Sequence, residues 1–336
     1  MKKSIILTIT LVMSVATFAQ QLATLNHNDS IIVYYGMNAL QQAHASAVNG
    51  DIITLSPGIF NSVNITKAVT IRGAGAWVDT NGNSNTVLYN NLTLNVSDDP
   101  VHHLTLEGIY FMNTVEYMNV NNPHFNKCHF SQLNFNTGGN MYNAIVTNCI
   151  IELWLNSHTS DRGWCAQGTL FYNSVLLNSG DSGPDSFVNC IVSQHPQTVW
   201  MATRLFQNCI LYGSYIYMSQ YMSGNGSTSF NCMYVNSNVD NLYSDTPNHV
   251  LWNKSGMSTV FKNFTGTYGS TTTFELQDSI AANYLGLDGT QIGIYGGTHP
   301  FSPKVTSPVI KSINVAQRNN SQGKLEVNIE MVTEEE

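Results

Sequence analysis

The chain has 336 residues, of which 43% are hydrophobic and only 10% charged, with a formal net charge of −8. That balance excludes a disordered polyelectrolyte, and the absence of any basic cluster excludes nucleic acid and acidic membranes as partners. Low charge beside abundant Asn, Ser, Thr, Gly and Tyr predicts a surface that is polar without being ionic.

Residues 1–19 read as a signal peptide. Lys2 and Lys3 precede the apolar run from Ile5 to Ala16, and Thr17-Phe18-Ala19 offers small residues at a cleavage position. The run is short for a bilayer, so no transmembrane segment is expected after cleavage. The destination is then the periplasm, the outer surface or the extracellular space. Met37 to Val48 is the one segment with helical spacing: Met37, Leu40, Ala43 and Ala47 share a side, and Asn49-Gly50 supplies the stop.

Short apolar runs with turn residues between them follow. The succession of a helix, Asn49-Gly50-Asp51, Ile53-Thr54-Leu55, Pro57-Gly58-Ile59-Phe60, Lys67-Ala68-Val69-Thr70-Ile71 and Gly73-Ala74-Gly75 resembles the opening of right-handed parallel β-helix proteins of the pectin-lyase-like superfamily, of the exported bacterial type. The resemblance implies an all-β fold, a right-handed parallel β-helix (solenoid) over residues 20–299, with the N-terminal helix capping its open end. Residues 300–336 are then a linker with Pro300, Pro303 and Pro308, a short strand within Lys324 to Met331, and an acidic tail.

From residue 111 onward the chain repeats one phrase. Phe187-Val188-Asn189-Cys190-Ile191-Val192 recurs around Cys149, Ser174 and Cys209. Looser copies are Phe111-Met112-Asn113-Thr114, Phe125-Asn126-Lys127-Cys128 and Phe230-Asn231-Cys232, and Val260-Phe261-Lys262-Asn263-Phe264 reads as another. Leu287 to Gly297 looks like the closing segment of exported β-helix proteins. Strand side chains alternate, so an aromatic and a Cys three residues apart reach the same side only if the strand bends between them. Asn is the residue placed to bend it, because it tolerates the left-handed region. Units of this kind bury their apolar side only by stacking, which predicts ladders of Asn amides and of Cys along the axis.

Six cysteines in an exported chain invite a disulfide framework, but stacked parallel strands hold side chains about 4.8 Å apart with Cβ vectors aligned. Free, buried thiols are therefore expected in the five phrase positions, with Cys165 standing apart. No spacing resembles a metal site.

The superfamily resemblance makes polysaccharide cleavage the first enzymatic expectation. Its lyases use a basic residue against a uronate α-proton, with acids holding calcium, and its hydrolases use close-set aspartates. Only Asp98-Asp99 matches a hydrolase signature, and before Pro100 it reads as a turn. The remaining catalytic candidates are Asp161, Arg162, Asp181 and Asp185 in the insertions over residues 150–205, with Arg204 beyond them. Trp154, Trp164, Trp200, Tyr215 and Tyr217 gather in the same third of the chain and suit stacking on sugar rings. The reading is an exported, carbohydrate-associated module, polysaccharide-binding or structural in the envelope, without an intact catalytic motif. A lyase or glycoside hydrolase and a surface or adhesion spacer are its alternatives. The partner is a polysaccharide or envelope glycan, no cofactor is expected, and calcium enters only for a lyase.

Overall fold

A computed structural model describes residues 21–28, 30–78, 85–135, 140–155, 158–159, 163–164, 166–179, 185–194, 205–212, 228–235, 251–269, 271–303, 309–315 and 327–332. Its body is a parallel β-solenoid of about six turns. Each coil contributes one three-residue strand to a first sheet, and a second strand across a corner to a second sheet. In the first sheet, Thr105–Glu107, His124–Asn126, Ile145–Thr147, Leu170–Tyr172, Ser186–Val188, Leu205–Gln207 and Thr228–Phe230 lie side by side in parallel register. The central residue of each faces inward, and Phe125, Val146, Phe171, Phe187 and Phe206 are consequently buried.

A bend at positive φ is present in every coil of this row, and in five of the seven it falls on an Asn, as expected. Positive φ angles occur at Asn148, Asn173, Asn189, Asn208 and Asn231, all between 45° and 53° except Asn208 at 56°. Register corrects three copies of the phrase. Phe125 pairs with Leu106, which puts Gly108 at the bend of that coil and Ile109 in the Cys row, so Asn113 and Thr114 are not a copy. Lys127 rather than Asn126 takes the bend in the next coil, with φ 51°. In the last, Ser229 and not Phe230 faces Phe206. A second corner, with no counterpart in the sequence reading, runs through Asn122, Asn143 and Gly168, all at positive φ.

Phe171 stacks on Phe187 at 4.6 Å and Phe187 on Phe206 at 5.1 Å, close to parallel, because the rings inherit the rise of the coils. Val146 interrupts this row. Trp154 of the same coil supplies the missing ring, packing edge-on against Phe171 at 5.1 Å.

Cys128, Cys149, Cys190, Cys209 and Cys232 form the expected row of free, fully buried thiols. Each sulfur lies beside a carbonyl of its own coil, and four of the five also reach one in the preceding coil: Cys209 Sγ is 3.2 Å from Gln207 O and 3.4 Å from Phe187 O. Ser174 Oγ makes the same two contacts, to Tyr172 O at 2.8 Å and Val146 O at 3.4 Å, which is why Ser substitutes for Cys there. Burial pushes the thiols of Cys128, Cys209 and Cys232 well up, away from the reactive thiolate. Titration of the folded protein with a thiol reagent is accordingly expected to find no more than one of the six cysteines reactive, and all six after denaturation.

The Asn amides do not form the predicted ladder at this corner. Three of the five bind a returning C-terminal segment instead. Asn173 Nδ2 donates to Ile294 O at 2.9 Å and Gly296 O at 2.7 Å, Asn231 Nδ2 donates to Leu285 O, and Asn208 Oδ1 accepts from Leu287 N. At the second corner, Asn143 Nδ2 donates to Asn122 Oδ1 at 3.4 Å along the axis.

That returning segment builds a second core. After the last strand, Leu251–Lys254, the chain forms helix α2 (Met257–Val260) and helix α3 (Asp278–Asn283), then runs back along the outside of the second sheet. Phe261, Phe264, Phe274, Ile292 and Ile294 cover Ile150, Val175, Ile191, Ile210 and Met233. Phe261 to Phe264, expected as another copy of the phrase, belongs to this cover and not to a coil. Val309–Val315 and Val327–Val332 pair antiparallel as a separate two-stranded sheet, so the expected C-terminal strand finds its partner within the chain.

At the other end the first sheet continues antiparallel through β1 (Leu22–His27) to β2 (Ser30–Tyr35). Helix α1 spans Ala39–Ser46, shorter than the spacing suggested, and packs Leu40 and Ala43 against this end while Met37 stays exposed. Lys67 Nζ closes its C-terminus by donating to the carbonyls of His44, Ala45 and Ala47 at 2.6, 2.9 and 2.6 Å. His44 Nε2 accepts from Thr66 N, and burial, then the Lys67 charge, lowers its pKa from 6.5 to about 4. The unfolded chain therefore takes up a proton first. Stability conferred by neutral His44 is whole above pH 6.5 and is lost progressively as pH falls toward about 4, by up to about 3 kcal/mol. Unfolding measured across that window is expected to show this loss, and His44→Gln is expected to flatten it.

Candidate functional site

The two outer faces of the solenoid are treated differently, and the difference is legible residue by residue. In the second sheet the residue after Cys149, Cys190, Cys209 and Cys232 points outward by alternation, yet it is apolar: Ile150, Ile191, Ile210 and Met233, with Val175 after Ser174; only after Cys128 is it polar, His129. Residues 257–301 seal it. The outward positions of the first sheet are instead Thr105 and Glu107, His124 and Asn126, Ile145 and Thr147, Leu170 and Tyr172, Ser186 and Val188, Leu205 and Gln207. None of them is buried: ten are partly exposed, and Leu170 and Tyr172 are 37% and 36% exposed.

This open face is nearly neutral and rich in hydrogen-bonding groups. Glu107 Oε2 pairs with Arg72 Nε at 3.2 Å, and Asn126 Nδ2 donates to Glu107 Oε1 at 3.4 Å, so three coils are joined by one polar row. His103 and His124 lie 6.0 Å apart between ring centroids, and burial followed by the neighbouring His103 lowers the pKa of His124, keeping it neutral. Glu107 is the one carboxylate among the outward strand positions of this sheet in the described residues. Paired acid and base carboxylates, which glycoside hydrolysis needs, are not assembled there. The face can offer amide, hydroxyl and imidazole groups to a ligand's hydroxyls, and the Tyr172 ring to an apolar sugar face.

A second cluster lies where the returning segment ends. His129 Nε2 meets Glu152 Oε1 at 2.7 Å, with the imidazole stacked 4.5 Å from Tyr110 and flanked by Trp77 and Tyr268. An imidazole beside a carboxylate is a competent acid–base pair, but His129 is only 7% exposed. Its surroundings make it a packing pivot for the cover of the second sheet. Tyr268 is held in the same pocket, its pKa raised by burial.

The residues singled out from the sequence fare unevenly. Trp154 is 1% exposed, between Phe135 and Phe171, and is corrected from a sugar platform to an interior ring. Asp185 is fully buried and its Oδ1 accepts from Thr169 N at 2.9 Å, so it ties one coil to the next and is removed from the catalytic candidates. The backbone of Trp164 pairs antiparallel with His158. Asp161, Arg162, Asp181, Arg204, Trp200, Tyr215 and Tyr217 lie outside the described residues. Asp99 Oδ1 accepts from the N–H groups of Val101 and His102, which hold its carboxyl well below the usual range and make Asp98-Asp99 the turn expected.

Tyr172, Leu170, His124 and Glu107 were not singled out by sequence reasoning. The signal was available, since each stands beside an inward-facing residue of its strand and must point outward. Among the described residues no group of three or more His, Cys, Asp or Glu is placed to hold a metal ion, and no helix is long and apolar enough to cross a membrane. No protein-family model matches the chain, and no curated protein or solved structure is similar to it.

Proposed function

We propose that the protein is an exported, right-handed β-helix of the pectin-lyase-like type, with α1 as its cap, that binds an extended polysaccharide without cleaving it. The observation carrying this reading is the asymmetry of the two outer faces. A chain that buries one sheet under some forty-five residues (257–301) and leaves its parallel neighbour open is organised around the open side. A repeat of one strand every coil, about 4.8 Å, suits a ligand that is itself a repeating chain. Amides, hydroxyls and a half-exposed tyrosine are the groups that recognise neutral or weakly acidic sugars.

The purified protein should be tested by calorimetry against a panel of polysaccharides, with parallel assays for unsaturated uronates and new reducing ends. Binding without product is the expected result. Tyr172→Ala is expected to weaken it about tenfold, which corresponds to roughly 1.4 kcal/mol. Appearance of either product would overturn the reading in favour of a lyase or hydrolase built on Asp161, Arg162, Asp181 and Arg204. Failure to bind any glycan would leave a stiff surface spacer.

A further inference from the structure

Among the described residues strand β2 is the terminal strand of the eleven-stranded first sheet, and its sequence lacks the charges and prolines that usually protect such an edge. Its sequence, Ser30-Ile31-Ile32-Val33-Tyr34-Tyr35, contains no charge, proline or glycine and is dominated by β-branched and aromatic residues. Alternation places Ile31, Val33 and Tyr35 on the outer face, opposite Asn26, Thr24 and Leu22 of β1, and they are 69%, 40% and 57% exposed. Ile32 and Tyr34 turn toward the core side, where Tyr34 packs on the buried cluster.

Backbone phase can be read from two bonds. Gly36 N donates to Gln21 O at 2.9 Å, so the hydrogen-bonded pairs between β1 and β2 are the alternate ones: Ala23 with Tyr34, Leu25 with Ile32, His27 with Ser30. Ser56 N donates to Leu22 O from the other side of β1, in agreement with that phase. The N–H and C=O groups of Ile31, Val33 and Tyr35 therefore point away from β1. The same three residues carry exposed apolar side chains on the outer face, and Ile32 on the other side is 45% exposed as well.

We propose that β2 pairs antiparallel with β2 of a second copy of this chain, across a two-fold axis at Val33. In that register Val33 faces its own mate and Ile31 faces Tyr35 of the second copy, each pair exchanging N–H to C=O bonds in both directions. All three outward-facing residues are satisfied at once, and the outer face becomes one apolar stripe of six side chains. The pattern is complementary to itself, which a docking partner of different sequence would have to match residue by residue. Two chains that each carry a charge of −8 repel over most of their surface, and this uncharged strand is where they can meet without that cost. The first sheet would then run unbroken through both copies. This inference is independent of the glycan reading.

Light scattering on the size-exclusion peak of the full chain, across a roughly hundredfold dilution series, is expected to give twice the chain mass, falling to one on dilution. Val33→Lys is expected to give one chain mass throughout. In hydrogen exchange, the amides of Ile31, Val33 and Tyr35 should exchange about tenfold or more faster in Val33→Lys, while that of Leu25, bonded between β1 and β2, stays protected and shows that the fold is intact. A single-chain mass with fast exchange at those three amides overturns the proposal. So does protection that is independent of concentration, which would place a segment of the same chain on the strand, and so does a dimer that survives Val33→Lys.

Discussion

Phe187→Ala is expected to cost about 3–5 kcal/mol, the upper range for core truncation, and to split unfolding into two transitions. The ring is 1% exposed and lies between Phe171 and Phe206 at 4.6 and 5.1 Å. Removing it leaves both neighbours with one bare face and a void that short, rigid strands cannot close. In a solenoid each coil is stabilised mainly by the coils it touches, so the loss falls at the interfaces on either side of Ser186–Val188 and not on the whole molecule. Thermal melting followed by calorimetry should show the N-terminal coils melting near the parent temperature and the later ones below it. Phe187→Leu is the control, expected to cost less than about 1.5 kcal/mol because the volume is largely kept. Val146 shows that the row tolerates a smaller residue only where another ring, Trp154, is supplied from the same coil. No such ring lies beside Phe187 among the described contacts.

Asn173→Ala combines two losses that Asn173→Gly separates. Asn173 holds φ 45°, where an alanine costs about 1–2 kcal/mol and a glycine nothing for sterics. Its Nδ2 also donates to Ile294 O and Gly296 O, two acceptors of the returning segment, and leaving buried carbonyls unpaired costs about 1–3 kcal/mol each. Alanine is therefore expected to destabilise by at least about 3 kcal/mol and glycine by at least about 2 kcal/mol in chemical denaturation. If the amide were only a bending residue, glycine would match the parent protein. Limited proteolysis gives a second readout, since both variants should become cleavable near residues 284–297 while the coils stay resistant.

The repeat could be read from the sequence because its physics is local. An aromatic, an Asn and a small residue in fixed order demand a bend, and the Cys row follows from the same spacing, down to the serine at position 174. Asn189 and Asn208 behave as the order of residues required. Three copies were misaligned, at Asn113, Asn126 and Phe230, because residue names were matched where backbone conformation mattered: Gly108 and Lys127 bend the chain as Asn does. The second corner was missed for the same reason, since Asn122, Asn143 and Gly168 share a φ sign and not a phrase.

The candidate site shows the opposite balance. Trp154 and Asp185 were conspicuous as residue types, and both prove to be interior fittings. Tyr172 and Glu107 were inconspicuous, and they stand on the open face. The apolar residue after Cys149, Cys190, Cys209 and Cys232 was a clue to a covered sheet, because alternation puts it outside a coil that has no further partner of its own. What covers it, residues 257–301, lies up to about 120 residues away along the chain, as the bond from Asn173 to Gly296 shows.

Composition and spacing alone thus dictated a stacked, thiol-lined solenoid whose strands turn at Asn, since bending, alternation and close packing act between residues a few positions apart. Which of its faces is sealed, which is open, where the Asn amides spend their hydrogen bonds, and that β2 ends the sheet with its apolar side uncovered were settled by the return of the C-terminal segment and the folding back of β1. Those are contacts between distant parts of the chain, and no local pattern of side chains encodes the path that brings them together.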